Sequence, residues 1–245
     1  PLAARPRTPT PTPPERGGNA PCIVFEDAAL DHAVAGTLAS KDRNAGQTSV
    51  CANRILVQDT VMEAYSEKLA EAVKGLKVGN GMEEGVTIGP LIDEAAADNV
   101  CSMIDDATAR GATVVLGGGR SELGGSFVEP TILAGVTDDM RVFREEIFGP
   151  VSPLVSFSTE EEAIAIANDT EFGLAAYFCA RDIGRIWRVS EGLEYGIIGV
   201  NEGIISNAMA PFGGMKESGN GREGSKYGLD DYVEVKYLCI GGIDS

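Results

Sequence analysis

Apolar residues recur at helical spacing over three stretches of the first half of the chain. Ala29, Leu30, Ala33, Val34, Thr37 and Leu38 line one face of a helix expected over residues 27–40, with Asp27 as its N-cap. Met62, Tyr65, Leu69, Ala72, Val73 and Leu76 make the stripe of a second helix, with Asp59 as its expected cap. A third is expected over residues 93–110 and stops at Gly111, a residue suited to the left-handed turn after a helix. Short apolar runs at 22–25, 55–58, 113–116, 127–133, 151–157, 173–178 and 196–201 predict strands. Thr159-Glu160-Glu161-Glu162 opens a fourth helix, its acids placed where the helix dipole favours them. A fifth, over 183–193, carries Trp187, the only tryptophan and the expected core anchor. Short strands alternating with helices of this length predict an α/β fold with a largely parallel sheet flanked by helices.

Residues 1–14 read PLAARPRTPTPTPP. Proline fixes φ and lacks an N–H, so this stretch is expected to be a tail or linker. It also lacks the apolar centre of a secretory signal. The 245 residues, 43% of them hydrophobic, suffice for a real core. A net charge of −17 argues against nucleic acid and anionic membrane surfaces as partners. No apolar run approaches the ~20 residues of a membrane span. The five cysteines are scattered and no Cys-x-x-Cys occurs, which favours reduced thiols over a disulfide framework. One histidine, His32, sits inside a helical pattern, so neither a His-based triad nor a His-rich metal site is expected.

The candidate chemistry gathers after Gly46-Gln47, where a polar turn joins the first helix to the strand at 55–58. Thr48, Ser49 and Cys51 place three possible nucleophiles in four positions. Small hydroxyl residues are equally ordinary in a helix-to-strand loop, and composition leaves both readings open.

Asn44-Ala45-Gly46-Gln47-Thr48-x-Val50-Cys51-Ala52-Asn53-Arg54 resembles the nucleophile loop of the aldehyde dehydrogenase superfamily, most of all its succinate-semialdehyde dehydrogenase branch. The resemblance implies that residue 49 is the nucleophile's position, with its backbone N–H in the oxyanion hole. Ser49 stands there in place of the family's cysteine. Glu15-Arg16-Gly17-Gly18-Asn19-Ala20-Pro21 is similar to the family's Glu-x-Gly-Gly-Asn-x-Pro motif, which implies that Glu15 is the general base; Arg16 replaces the usual leucine. Glu15 and Ser49 are 34 residues apart, as the family would have them. Glu145-Glu146-Ile147-Phe148-Gly149-Pro150 implies that Glu146 meets a ribose hydroxyl at the nicotinamide end of NAD or NADP, with Phe148 near that ring. Arg43 matches a carboxylate-binding arginine and Ser206 a serine that shares its duty. Asp42 replaces an expected aromatic, and its charge is expected to weaken anion binding at Arg43. The run 211–224 looks like the family's C-terminal signature, with Asn220 where a leucine is expected.

The resemblance also implies an organisation. Residues 15–224 would be the catalytic domain, and 225–245 a C-terminal oligomerisation segment. In that segment the alternating residues 231–237 form a strand on a neighbouring subunit's sheet, giving a dimer, tetramer or larger assembly. Most of the Rossmann-type dinucleotide domain is expected to be missing. A hydroxyl is a poorer nucleophile than a thiolate. Cys51, two residues on in a strand-like segment, would point the same way as Ser49. In some relatives those two positions form a redox disulfide, which Ser49 prevents. The expectation is a portion of an NAD(P)-dependent succinate-semialdehyde dehydrogenase, acting on a small aldehyde, in the cytoplasm or mitochondrial matrix. Its activity would be impaired or lost because Ser49 replaces the cysteine and the dinucleotide domain is largely absent, with NAD or NADP held only weakly. The alternatives are a non-catalytic assembly subunit and a weak serine esterase using Ser49 and Glu15.

Overall fold

The computed structural model describes residues 17–243; Glu15 and the proline-rich stretch lie outside them. The elements in chain order are β1 Ala20–Val24, α1 Leu30–Lys41, β2 Ala52–Gln58, α2 Met62–Lys74, α3 Glu94–Ala109, β3 Thr113–Leu116, β4 Thr131–Ala134 and the single turn α4 Arg141–Arg144. There follow β5 Val151–Phe157, α5 Glu160–Asn168, β6 Phe172–Gly173, β7 Ala175–Cys179, α6 Ile183–Gly192, β8 Ile197–Val200 and β9 Met215–Lys216. Seven strands form one sheet in the order β3-β4-β5-β2-β1-β7-β8. Every pairing in it is parallel except β3 with β4 at one edge. A short antiparallel pair, β6 with β9, stands apart.

Period-two alternation divides the core into two layers. Ile23 and Phe25, Leu56, Ala176 and Phe178 face α3, α5 and α6. Cys22 and Val24, Ile55 and Val57, Tyr177 and Cys179 face α1 and α2. Both faces are therefore covered, which is why the central strands are apolar nearly throughout, as parallel strands must be. The α/β expectation with a largely parallel sheet holds.

Several local expectations do not. Asp27 is not the cap of α1, whose N-cap residue is Ala29 with no side-chain bond. Its carboxylate instead accepts from the Arg181 and Asp182 N–H groups and pairs with Arg185, tying the loop after β1 to the start of α6. Asp59 opens a short 3-10 turn ahead of α2 and accepts from Ser158 Oγ at 2.9 Å. Asp93 and Thr159 do cap their helices, through the Ala96 and Glu162 N–H groups. Trp187 is 65% exposed. The α6 face that packs inward is the Val189 face, so Trp187 anchors no core within this chain. Tyr227–Tyr232 is a 3-10 turn, and residues 233–242 have no regular structure within the chain and are exposed, so the expected strand on a neighbouring subunit's sheet is not tested by a single chain.

Candidate active site

Because β1, β2 and β5 are adjacent and parallel, the loops that lead into them meet at the amino ends of the central strands. Those loops carry Gly17-Gly18, Ser49 and Glu146 with Phe148. The amino ends of the strands therefore hold the candidate site, whereas open α/β sheets usually place ligands beyond the carboxyl ends.

The Ser49 loop begins with a run of left-handed residues: Asn44 and Ala45 both have φ of 54° and Gly46 has φ of 77°. For Ala45 that conformation is strained and needs outside support. Support comes from close packing, since Gly46 lies so near Gly149 that a Cβ would strike the Gly149 carbonyl. Gln47 adds three bonds, its Oε1 accepting from Ile92 N at 2.9 Å and its Nε2 donating to the Asn44 carbonyl at 3.1 Å and the Pro90 carbonyl at 3.4 Å. Thr48 to Cys51 is a turn closed by Cys51 N–H to the Thr48 carbonyl at 2.9 Å. The strand-like geometry expected there is absent, so strand parity does not set where Cys51 points. Cys51 is buried, with its Sγ 3.8 Å from the Arg43 carbonyl, while Ser49 is half-buried. The Tyr177 hydroxyl donates to the Val50 carbonyl at 2.6 Å and pins the turn from beneath.

Gly18 approaches the Ser49 carbonyl so closely that a Cβ would sit 2.9 Å from it. A Cβ at Gly17 would strike the Glu146 carboxylate. Glu146 Oε1 accepts from Gly18 N–H at 3.1 Å. Burial raises the Glu146 pKa, opposed by that N–H and by Lys41. Phe148 is exposed in a left-handed turn with φ of 52°. Ser49 and Glu146 thus meet at Gly17-Gly18, with Phe148 two residues beyond Glu146; Glu15 lies outside the described residues.

Arg43 is exposed and lines a groove of about 320 Å³ with Leu38, Asp42, Thr87 and Ile204. Ser206 is exposed two residues beyond Ile204, and among the described residues no hydrogen bond joins it to Arg43. Asp42 is not beside the Arg43 guanidinium on the surface: it is 6% exposed, and its Oδ2 has no hydrogen-bond partner. Burial pushes its pKa up to about 6 against the pull of Lys41.

Four residues with evident work carried no role in the sequence reading. Lys41, the last residue of α1, is buried with its ammonium within electrostatic reach of Cys51, Asp42 and Glu146. Burial lowers its pKa while those groups oppose the shift. Asn53 donates to Asn19 Oδ1 at 2.6 Å and to the Glu145 carbonyl at 2.9 Å, and accepts from Ile147 N. Asn19 in turn donates to the Phe143 carbonyl at 2.8 Å. This pair holds the Glu146 loop against β1 and β2. Ser218 Oγ donates to the Gly17 carbonyl and accepts from Gly173 N, both at 3.0 Å. The only sequence signal was that Asn19, Asn53 and Ser218 fall inside the quoted motifs. Lys41 carried none, because a lysine ending a helix is usually a solvated partner of the dipole.

The chain matches the model of the aldehyde dehydrogenase family over residues 4–238. It is 60% identical over 230 residues to the mitochondrial succinate-semialdehyde dehydrogenase of Oryza sativa subsp. japonica, covering 94% of this chain and 44% of that protein. It is 62% identical to the NADP(+) succinate-semialdehyde dehydrogenase of Escherichia coli (strain K12), covering 93% and 47%. The crystal structure of succinate-semialdehyde dehydrogenase from Burkholderia pseudomallei superposes with a TM-score of 0.91 at 61% identity, covering 92% and 47%. The chain spans about half the length of the relatives it matches.

Proposed function

The chain belongs to the aldehyde dehydrogenase family, and from that premise we propose that it is the catalytic-domain portion of an NAD(P)-dependent semialdehyde dehydrogenase whose turnover Ser49 impairs. The observation that carries this reading is the meeting of Ser49, Gly17-Gly18 and Glu146 at the amino ends of β1, β2 and β5. The preferred substrate is a small aldehyde with a carboxylate at its far end, of the succinate semialdehyde kind. Support comes from the names of the relatives and from Arg43, whose exposed guanidinium at a groove mouth suits a carboxylate.

The chain's own residues divide the work. The turn at 48–51 presents residue 49 and its N–H to the carbonyl, with Gly18 and Tyr177 fixing the turn. Glu15 is the proposed base for release of the acid. A thiolate would attack readily, whereas the serine hydroxyl needs a base beside it. Glu146 and Phe148 fit the nicotinamide-ribose end of NAD or NADP, through a carboxylate able to accept a hydroxyl and an exposed ring in a fixed turn. When bound, that cofactor takes the hydride. Among the described residues no cluster of three His, Cys, Asp or Glu side chains could hold a metal ion. No helix there is long and apolar enough to cross a membrane.

A second reading, a structural subunit of a larger assembly, is favoured by the uncovered apolar side chains of residues 233–243. One experiment separates the two. Reduction of NAD(P) by succinate semialdehyde is followed for this chain and for Ser49→Cys, with the native mass of each. Turnover by Ser49→Cys alone supports the dehydrogenase reading and places the lesion at Ser49. An assembled chain in which neither form turns over favours the structural subunit. Turnover by the unaltered chain overturns the claim that the serine impairs it.

A further inference from the structure

We propose that Asn220 is a site of spontaneous deamidation, through a succinimide, to aspartate and isoaspartate. The chain has two Asn-Gly pairs, Asn80-Gly81 and Asn220-Gly221. A glycine after asparagine leaves its backbone nitrogen free of side-chain shielding and able to reach the asparagine Cγ. The fold treats the two pairs differently. Asn80 is clamped: its Oδ1 accepts from Met82 N at 3.1 Å and its carbonyl from Glu83 N at 2.9 Å, which closes a turn around the side chain.

Asn220 is exposed, and its side chain makes no hydrogen bond among the described residues. It follows Gly219, whose φ is 123°, in a stretch that is neither helix nor strand. No bond from the Gly221 N–H is found there among the described residues, so the attacking nitrogen is not held by an acceptor.

The chemistry needs only water. The Gly221 nitrogen loses its proton and bonds to Asn220 Cγ. The Cγ–Nδ2 bond breaks and ammonia leaves with a proton. Water then adds to one of the two ring carbonyls and opens the succinimide, giving aspartate or, with the backbone routed through the side-chain carbon, isoaspartate.

Isoaspartate lengthens the main chain by one methylene between two fixed points. On one side is Ser218, bonded to Gly17 and Gly173. On the other is Arg222, whose Nη1 donates to the Gly214 carbonyl at 2.7 Å and the Gly221 carbonyl at 2.8 Å. The new carboxylate also lines a hollow with Glu223, Asp231 and Arg222, where it makes a third acid beside one cation. Conversion therefore loosens the strap that ties the C-terminal loops to Gly17.

The test is peptide mapping of the whole chain by mass spectrometry during storage in mildly alkaline buffer, with fragmentation that distinguishes isoaspartate. The amide-to-acid mass gain is expected first in the peptide holding Asn220, with isoaspartate the larger product and a rate that rises with pH. Asn220→Leu should lose that gain while leaving conversion at Asn80 unchanged. Three results each overturn the proposal. One is Asn80 converting first. Another is Asn220 keeping its amide while a free peptide of residues 216–224 converts. The third is aspartate forming with no isoaspartate.

Discussion

The amino ends of the central strands and the last seventeen described residues, 227–243, handle exposure in opposite ways. At the strand ends, polar groups are buried and nearly all are bonded. Arg54 is 0% exposed, yet its guanidinium donates to the carbonyls of Asn19, Ile166 and Ala167 and to the Tyr195 hydroxyl, and it lies over the Phe143 ring. In the C-terminal segment apolar groups are out in solvent: Val235 is fully exposed and Tyr237 nearly so. The polar groups of the first region find their partners within this chain: Arg54 alone draws on Asn19 before β1, on the end of α5 and on Tyr195 before β8. The second has no covering surface among the described residues. Buried polar groups can thus be bonded nearly throughout in a chain whose C-terminal apolar side chains stay exposed.

Asp42 is the exception inside the first region. It ends α1 beside Lys41, and its free Oδ2 is the one buried side-chain oxygen or nitrogen without a partner among the described residues. An aromatic side chain there would have no such atom to satisfy.

Three substitutions test this contrast. The largest effect is expected from Arg54→Ala, which leaves several carbonyls unpaired and opens a void. Urea unfolding should show a loss of about 3–5 kcal/mol, as for other broken buried networks. A loss as small as a surface substitution gives would mean that the strand-end loops are held by packing alone.

Asp42→Asn comes next and should stabilise the fold. The folded carboxyl has a pKa of about 6 against an ordinary 3.8, so its charged form is disfavoured by folding. Its penalty is absent below the ordinary value, grows as pH rises towards 6 and is complete above it, reaching about 3 kcal/mol for a shift of that size. The gain from Asp42→Asn should therefore be small in acid and largest at neutral pH. A gain independent of pH would show that Lys41 already neutralises the carboxylate.

The smallest effect on stability belongs to Val235→Asp, within about 0.5 kcal/mol of the parent in unfolding experiments. Its readout is native mass. If residues 233–243 join another copy of the chain, the assembly should dissociate or weaken; an unchanged assembly would place the contact elsewhere.

Much of the fold was legible because periodicity is a local property. The apolar runs at 22–25 and 151–157, and the helical stripe of Tyr65, Leu69 and Val73, appear in the structure as two-sided core strands and an inward helix face. The motifs that carry Ser49, Gly17-Gly18 and Glu146 were legible too, since each is contiguous. Cap positions were less so: Asp27 and Asp59 had the right chemistry for their own helices, but partners distant in sequence took their oxygens. Trp187 failed as a core anchor because size predicts burial only when another surface is present to receive it.

By itself, then, the sequence determined the alternation of strands and helices, the family motifs and the departure at residue 49. All of these are encoded in neighbouring residues. Strand order, the placing of Lys41 near Glu146, the Asn19–Asn53 lock on the Glu146 loop and the stranded oxygen of Asp42 were decided only by tertiary structure. Each depends on which groups, separated by up to a hundred residues or more, are brought within a few ångströms when parallel strands pack side by side.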